Sequence, residues 1–302
     1  MEAKEAYQKV LAEMKKHISG DEEVIELLFI SILADGHAIL EGVPGLAKTT
    51  ITKALADTIQ ADFSRIQGTP DIQPSDIVGY TYMDEKNQVQ VKKGPVFTNI
   101  LLFDELNRTQ PKVMSALLET LEERQVTLGG VTMQLPKPFT AFATQNPLRI
   151  EGTEPLPKVL ADRFIMRIPV DYPSREDEGM MLRLKETEER TTVNKVIGTS
   201  DVMRMQEEAK AVVMGDEVRD YITGIVAATR KEIHVVMGAS PRADIAFMRC
   251  AKAKALVEGR SSVTKEDISF LARPVLSHRL VVRSTGGIGI NGVIDGIIAT
   301  YR

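Results

Sequence analysis

A glycine-rich loop between an apolar run and a helical pattern constrains this fold more than any other feature. The loop, GVPGLAKT at 42–49, follows the apolar run 37–40 and precedes 51–59, where apolar residues recur at helical spacing. Apart from one position it has the pattern GxxxxGK(S/T), whose small residues let backbone N–H groups curl around phosphate oxygens. A helix that begins there adds the partial positive charge of its N-terminus. The sequence therefore predicts a phosphate-binding strand–loop–helix unit in an α/β fold.

Each part of this loop has an expected task. Lys48 would reach the β- and γ-phosphates, and the Thr49 hydroxyl would bind Mg²⁺. Ala47 stands where glycine is usual, and because alanine tolerates positive φ poorly, we expect the loop to hold it in an allowed region. Taken alone, the octet also fits an ordinary Gly/Pro turn with a solvated lysine. The residues predicted to contact the nucleotide are Gly42, Val43, Pro44, Gly45, Leu46, Ala47, Lys48, Thr49 and Thr50.

Two carboxylates follow a second apolar run. The run 100–103 is apolar throughout, as in a strand buried on both faces, and it ends in Asp104 and Glu105. Open α/β sheets bind their ligands at the carboxyl ends of the strands. We therefore expect Asp104 to hold Mg²⁺ and Glu105 to polarise the water that attacks the γ-phosphate. Without the phosphate loop a solvated acidic turn would be the better interpretation; with it, the sequence predicts an ATP or GTP hydrolase of the P-loop class.

Two further polar residues lie beside predicted strands. Asn146 follows the predicted strand 139–143 and could hydrogen-bond the attacking water or the γ-phosphate, or form only an Asn-Pro turn. Arg163 precedes the predicted strand 165–170 and could stabilise transition-state charge, or simply pair with an aspartate.

A third candidate, Arg242, is expected at the start of a helix. Ser240 is a good N-cap and Pro241 suits the first helical position, which would put Arg242 in the first turn. Because a cation is unfavourable at that end of the helix dipole, we expect an anionic partner beside it.

The character of the sequence changes near 172–174. Before this point, strand-like runs alternate with helical patterns, and hairpins are predicted within 69–99 and 125–135. After it, the chain is rich in Ala, Met and charged residues with helical periodicity. We therefore predict an α/β nucleotide-binding domain with N-terminal helices at 1–172 and an all-helical domain at 173–302. The helical periods of the second part fall at 176–190, 201–213, 216–232, 241–257 and 264–274.

Composition excludes several classes of protein and partner. The 302 residues include 38 Lys and Arg against 42 Asp and Glu, a net charge of −4, so the strongly basic footprint of nucleic-acid binding is missing. No run of 18 apolar residues predicts a membrane span, and the first residues lack the apolar region of a signal peptide. A single Cys250 cannot form an internal disulfide. These features lead us to expect a cytoplasmic protein.

In this order the motifs resemble those of AAA+ ATPases, and within that class those of the MoxR family. The resemblance runs from residue 20 to about residue 274, and its longest string is the most specific. Alanine in GLAKT is a variant familiar from MoxR proteins, whereas Gly68 stands where relatives often have an aromatic residue. The strings are EGVPGLAKT (41–49), RIQGTPDIQPSDIVG (65–79), LLFDELNRTQPKVMSALLETLEERQVT (101–127), ATQNP (143–147), LADRF (160–164) and GASPRA (238–243).

The resemblance implies a fold and a set of roles. The fold is a P-loop core with a parallel sheet, an insert in helix 2 and a hairpin before sensor 1, followed by an all-helical lid. Arg108 is a second candidate, ranked below Arg163, for a contact across a subunit interface. The roles implied are Walker A at 42–49, Walker B at Asp104 and Glu105, sensor 1 at Asn146, an arginine finger at Arg163 acting on a neighbour's nucleotide, and sensor 2 at Arg242.

The same resemblance implies a function. It is Mg²⁺-dependent ATP hydrolysis at the interfaces of a homo-oligomeric ring, usually a hexamer, in a chaperone that matures protein complexes or inserts metal cofactors. The partners implied are a client protein and often a protein with a von Willebrand factor A domain. The choice of ATP over GTP rests on the resemblance alone.

Three other functions remain open at this stage. One is a nucleotide-gated scaffold with little turnover, which Ala47 favours and Glu105 opposes. Another is a magnesium-chelatase-like subunit, which would share nearly all these motifs. The last is a DNA-remodelling motor with a strand-tracking hairpin, although the net charge favours a solvated hairpin and nucleic acid is not an expected partner. The residues that would contact the DNA strand in such a hairpin are Tyr80, Tyr82, Lys86, Lys92 and Lys93.

Overall fold

The computed structural model of the chain describes residues 1–18, 20, 22–146, 156–186, 192–283 and 288–301. The strands are β1 Ala38–Glu41, β2 Phe63–Gln67, β3 Gly79–Met83, β4 Val89–Lys93, β5 Ile100–Asp104, β6 Gln125–Leu128, β7 Val131–Gln134, β8 Thr140–Gln145, β9 Met166–Pro169, β10 Val235–Met237 and β11 Val281–Val282. The helices are α1 Ala3–Met14, α2 Glu22–Leu33, α3 Lys48–Thr58, α4 Pro74–Val78, α5 Pro111–Glu123, α6 Lys158–Ala161, α7 Arg175–Glu186, α8 Thr199–Ala211, α9 Asp216–Thr229, α10 Arg242–Val257, α11 Lys265–Leu276 and α12 Ile290–Tyr301.

A five-stranded parallel sheet forms the centre of the first part of the chain. Its strand order is β2-β5-β8-β1-β9, and every neighbouring pair is parallel. The apolar run of β5 is buried throughout, as its composition predicts. Because all five strands point the same way, the loop after β1 and the residues that end β5 and β8 share one edge of the sheet. The expected α/β core is therefore confirmed.

Strand β2 is the one member of this sheet that the sequence pattern does not predict. It lies at the sheet edge, pairs only with β5 among the described strands, and buries only Ile66 of its five residues. An edge strand with polar side chains lacks the apolar run by which β1 and β5 are recognised.

Both predicted hairpins are present. Strands β3 and β4 pair antiparallel, as do β6 and β7. The two hairpins pack together where Gly129 meets β3, since a Cβ added there would lie 2.8 Å from Cγ2 of Thr81. In the first hairpin Tyr80 and Tyr82 are exposed, and the Lys92 ammonium lies 5.6 Å from the Tyr80 ring centroid.

The second part of the chain is helical, as expected. Helices α7 to α11 correspond to the five predicted periods, although residues 187–190 of the first period lie outside the described ranges. Helix α12 was not predicted. Strands β10 and β11, also unpredicted, form a short antiparallel pair between these helices.

Helix α2 joins the two parts of the core. From Val24 to Leu33 it is buried almost all round, which is typical of a helix inside a core rather than on a surface. It packs on β9 of the sheet and on α8 and α10. A continuous apolar cluster therefore runs from the N-terminal helices through one face of the sheet into the helical part. Among the described helices, none has the length and apolar character needed to cross a bilayer.

Candidate active site

The predicted phosphate loop and acidic residues meet in one cavity of about 310 Å³ at the carboxyl edge of the sheet. The loop follows β1, the carboxylates end β5, and the polar residues 144–146 end β8, so parallel strands bring all three together. The cavity is lined by Gly42, Pro44, Gly45, Leu46, Ala47, Lys48, Thr49, Thr50, Asp104, Glu105, Thr144, Gln145 and Asn146. Of the loop residues expected to contact the nucleotide, only Val43 does not line it.

The loop curls by placing an alanine in a left-handed conformation. Ala47 has φ 50° and ψ 15°, immediately before the first residue of α3. We expected the loop to hold Ala47 outside the left-handed region, and that expectation is wrong. A glycine would adopt the same backbone conformation without strain. Gly45 is also left-handed, at φ 90°. Together the two residues turn the chain into the helix.

The Lys48 ammonium lies on the loop itself. Its Nζ donates to the carbonyl oxygens of Gly42 at 2.8 Å and Val43 at 2.7 Å. Burial lowers the pKa of Lys48, although the nearby Asp104 and Glu105 carboxylates act in the opposite direction. To bind a phosphate, the ammonium must exchange these carbonyl oxygens for phosphate oxygens across the cavity that the loop encloses.

Oxygen donors suited to a hard divalent cation meet beside the loop. The Thr49 hydroxyl donates to Oδ2 of Asp104 at 3.0 Å, and the Thr144 hydroxyl donates to Oδ1 at 2.6 Å. Hydroxyl and carboxylate oxygens with room for water are ligands that Mg²⁺ accepts. The residues present therefore fit a magnesium ion held by Thr49 and Asp104.

A cation from the edge strand already contacts this carboxylate. Arg65 of β2 donates to Oδ2 of Asp104 from Nε at 3.1 Å and from Nη2 at 2.6 Å. Burial tends to raise the pKa of Asp104, but hydrogen bonds from Thr144, Arg65 and Thr49 outweigh it, so the pKa lies below its ordinary value. Sequence reasoning missed Arg65 because the strand that carries it was not recognised.

Glu105 is held by its backbone and by two polar side chains. It is left-handed, at φ 56° and ψ 48°, and its N–H donates to the Thr144 hydroxyl at 2.8 Å. Its Oε2 accepts from Gln67 at 3.2 Å and from Arg108 at 2.8 Å. A non-glycine residue in this region carries strain that the surrounding structure must compensate. Arg108, a candidate for a subunit contact, thus pairs with the carboxylate of its own chain.

Gly68 packs closely against the turn after β5. A Cβ at this position would lie 2.3 Å from the Glu105 carbonyl oxygen and 2.9 Å from that of Asp104. The Gly68 N–H also donates to the Asp104 carbonyl at 2.6 Å. A side chain here would require β2 and the turn after β5 to move apart.

Asn146 lines the cavity, as expected, at the last described position before the gap 147–155, so Pro147 of its motif is not described. Its neighbour Gln145 donates to Oε1 of Glu41 at 2.6 Å, which joins the ends of β8 and β1.

The two remaining candidate residues lie together in a different cavity, of about 240 Å³. Arg163 donates from Nε to Oε2 of Glu122 at 2.8 Å, and Arg242 donates from Nη2 to Oε1 of the same carboxylate at 2.5 Å. Among the described residues that line the phosphate cavity, neither arginine is found. The anionic partner expected for Arg242 is thus Glu122, which the sequence did not single out.

The start of α10 and the turn before β9 are joined a second time by Asp162. Its carboxylate accepts from the Ser240 hydroxyl at 2.8 Å and from Nε of the buried Arg279 at 3.0 Å. The Ser240 hydroxyl in turn accepts the Arg242 N–H at 3.2 Å, as a cap would, with helix α10 beginning one residue later than predicted.

A buried histidine forms part of the wall of this second cavity. His37 Nε2 donates to the Leu121 carbonyl at 2.9 Å, and Nδ1 accepts the Ala141 N–H at 2.9 Å. Burial, with a contribution from the Arg124 charge, lowers the pKa of His37 to about 3. The neutral ring ties the end of α5 to the start of β1.

Comparison with known proteins identifies the class. The model of the ATPase family associated with various cellular activities (AAA) matches residues 37–166, and that of the AAA lid domain matches residues 227–287. The crystal structure of a candidate ATPase from Cytophaga hutchinsonii aligns with a TM-score of 0.91 and 39% identity, over 98% of this chain and 94% of that one. The protein is an AAA+ ATPase, in which a P-loop core that binds and hydrolyses ATP is followed by a helical lid.

Sequence relatives identify the family within this class. Chaperone MoxR1 of Mycobacterium tuberculosis is 40% identical over 286 residues, which cover 91% of this chain and 75% of that protein. Protein MoxR of Methylorubrum extorquens is 31% identical, over 89% and 85% of the two chains. An uncharacterised protein of Bacillus subtilis, YeaC, is 42% identical over 97% and 93%. The chain belongs to the MoxR family of AAA+ ATPases.

Proposed function

We propose that this protein is a Mg²⁺-dependent ATPase whose catalytic sites are completed between neighbouring subunits of a ring. The observation that carries the proposal is that Arg163 and Arg242 lie in a different cavity from the phosphate loop. The phosphate loop and carboxylates share one cavity, whereas Arg163 and Arg242 share another and contact Glu122 instead. Among the described residues, the two arginines that contact the carboxylates of the phosphate cavity, Arg65 and Arg108, are already paired with Asp104 and Glu105. Such a site is suited to receive a transition-state cation from a second copy of the chain.

Within its own cavity, each residue has a distinct task. The loop N–H groups, the start of α3 and Lys48 bind the phosphates, with residues 42–50 forming the cradle. Thr49 and Asp104 hold the metal, and Mg²⁺ bound there would neutralise charge developing on the phosphates. Glu105 orients the attacking water and accepts its proton, while Asn146 hydrogen-bonds the water or the γ-phosphate.

The two arginines act on the neighbour's nucleotide. Arg163 is the finger that stabilises the transition state, as the family resemblance implies, and Arg242 supplies a second cation beside it. Arg108 is the weaker candidate for this role because its guanidinium already pairs with Glu105 of its own chain. Since Arg242 begins the first turn of a lid helix, movement of the lid would reposition it relative to the core.

We further propose that the units 1–172 and 173–302 are those that move, with α1 and α2 as the contact between them. The exposed hairpins β3–β4 and β6–β7 would face the client or the pore of a hexameric ring. By analogy with a relative named as a chaperone, the client is a protein complex under maturation or a protein receiving a metal cofactor, with a von Willebrand factor A domain protein as partner. The cytoplasm is the compartment that the lone, buried Cys250 favours.

The test is Mg²⁺-dependent ATP turnover per protomer over a wide range of protein concentration, with ring size followed in parallel. Sites completed between subunits require a rate per protomer that climbs with concentration and saturates when the ring has formed. A substantial rate in a preparation shown to be monomeric would contradict the proposal, because such a site would be complete within one chain. Chelation of Mg²⁺ should abolish the rate at every concentration.

A further inference from the structure

One carboxylate holds both arginines that the proposed function assigns to the neighbour's site. Each oxygen of Glu122 serves one of them: Oε2 accepts from Arg163, and Oε1 accepts from Arg242. The three residues come from three elements, namely α5, the turn between α6 and β9, and the first turn of α10. Charge-assisted hydrogen bonds of this kind fix both the distance and the orientation of a guanidinium.

The carboxylate is itself firmly placed. It lies on the outer face of α5, whose opposite face buries Val113, Leu117 and Leu121 in the core. The carbonyl of Leu121, the preceding residue, accepts a hydrogen bond from the buried His37 at the start of β1. The end of α5 that carries Glu122 is thus tied to the residue before β1, and the Glu122 side chain is 40% exposed.

Two guanidinium groups side by side repel each other unless an anion lies between them. Arg163 is further fixed by a bond from Nη1 to the Val159 carbonyl at 2.6 Å. For Arg242, the described contacts of the guanidinium include no second acceptor besides Glu122. Loss of the carboxylate would therefore release Arg242 and leave Arg163 beside an uncompensated positive charge.

We propose that Glu122 is a positioning residue that presents Arg163 and Arg242 as a pair to the nucleotide of the neighbouring subunit. This inference rests on the proposed trans-acting role of the arginines and names the group that sets their geometry. It gives Glu122 no task in its own phosphate cavity, so its loss should be felt only in the adjacent subunit. A displacement of about 1 Å in such a pair is enough to cost on the order of 100-fold in rate.

The alternative role, a simple tie between lid and core, predicts something different. Asp162 already joins these parts through Ser240 and Arg279, the latter almost fully buried. The lid should therefore stay docked without Glu122, and a purely structural contribution would reduce thermal stability without a specific effect on catalysis.

The first experiment compares Glu122→Ala and Glu122→Gln with the adjacent, exposed Glu123→Ala as the matched control. We expect kcat to fall about 100-fold for Glu122→Ala and about tenfold for Glu122→Gln, whose single carbonyl oxygen can serve only one arginine. KM and binding of a fluorescent ATP analogue should stay within about twofold, as should every parameter of Glu123→Ala. Wild-type kcat in Glu122→Ala would overturn the inference, and so would a fall in nucleotide binding that accounts for the lost rate.

The decisive experiment mixes variants in one ring. Glu105→Gln is expected to lose hydrolysis but keeps its own arginines, whereas Glu122→Ala keeps its own phosphate cavity. In an equimolar random mixture, half of the chains can hydrolyse and half of those face an intact neighbour, so about a quarter of the wild-type rate should return. A structural defect confined to the Glu122→Ala chain would give no such recovery and would overturn the inference.

A parallel mixture separates this inference from the function on which it rests. Arg163→Ala with Glu105→Gln should recover activity in the same proportion if the arginine acts across the interface. Failure of this mixture would contradict the trans-acting arginine itself. Recovery here without recovery for Glu122→Ala would refute the role of Glu122 alone.

Discussion

The phosphate cavity and the arginine cavity are similar in size, about 310 Å³ and about 240 Å³, but they are built in different ways. The first takes its residues from the ends of three parallel strands, so short contiguous strings supply it. The second takes its pair of arginines and their carboxylate from three elements distant in sequence. Under the proposed function, the phosphate cavity binds and hydrolyses the nucleotide, and the arginine cavity acts on the nucleotide of a neighbouring subunit.

The largest effect should come from the phosphate cavity. Glu105→Gln removes the proton acceptor but keeps the shape of the side chain, so turnover should fall by about 100-fold or more. Nucleotide binding should remain, because Lys48 and the loop are untouched. Turnover and equilibrium binding of a fluorescent ATP analogue measure the two, with the exposed Glu85→Gln as control. An unchanged rate would remove Glu105 from the mechanism.

Next in size should be the effect of the arginine cavity. Arg163→Ala should lower kcat by about 100-fold, the lower range for a lost transition-state cation. Binding in the variant's own cavity should stay at the wild-type value. The same measurements on Arg108→Ala rank the two candidates for the subunit contact. A larger fall in kcat for Arg108→Ala than for Arg163→Ala would identify Arg108 as the arginine finger. The two cavities would then not have the separate roles proposed for them.

The histidine in the wall of the arginine cavity should make stability depend on pH. His37 has a pKa of about 3 in the folded chain, well below its ordinary value of 6.5, because it is buried. Below pH 6.5 the unfolded state therefore binds a proton that the folded state does not, and stability is lost as pH falls. The loss between pH 6.5 and 5 should be about 1.5 kcal/mol for this residue.

Urea unfolding at pH 5 and 6.5 measures this loss. His37→Gln removes the titrating group and should flatten the dependence by that amount. His278, whose pKa is also lowered by burial, should contribute in the same direction, so His278→Gln provides the matched comparison. If the free energy of unfolding depends on pH as strongly in both variants as in the wild type, the buried histidines are not the cause of that dependence.

A smaller effect is expected from the cation on Asp104. Arg65→Met removes the guanidinium that contacts the proposed metal ligand, and Mg²⁺ then no longer competes with it. Because Arg65 is 47% exposed and its ion pair is screened, the Mg²⁺ concentration for half-maximal turnover should fall by only about threefold. A Mg²⁺ titration of turnover measures this, with Arg108→Met, which faces Glu105, as control. An increased Mg²⁺ requirement would mean that Arg65 helps to build the metal site.

The smallest effect should follow Ala47→Gly. Glycine relieves the left-handed strain of alanine but adds freedom to the unfolded chain, so stability should rise by only about 0.5 kcal/mol. Turnover should change less than about twofold, because the loop already has its glycine-like geometry. A large gain in turnover would instead favour the nucleotide-gated scaffold that Ala47 suggested. Thermal unfolding and steady-state rates decide between these outcomes.

The sequence by itself determined the phosphate cavity and much of the fold. Strands β1, β5, β8 and β9, both hairpins and most helices follow from apolar runs and periodicity, because burial on two faces or on one leaves a local pattern. The loop at 42–49, Asp104, Glu105 and Asn146 could be placed together because parallel strands end at one edge. Strand β2 was missed because an edge strand with polar side chains has no such pattern.

Only the tertiary structure decided which charged side chains form ion pairs with each other. Arg163 and Arg242 were recognised as candidates, but nothing local indicates that both contact Glu122, which looks like any solvated residue on the polar face of α5. The same holds for Arg65 on Asp104 and for the close packing of Gly68 against the turn after β5. A hydrogen bond between distant elements depends on how the helices and the sheet pack, and packing is a property of the whole core rather than of any one segment.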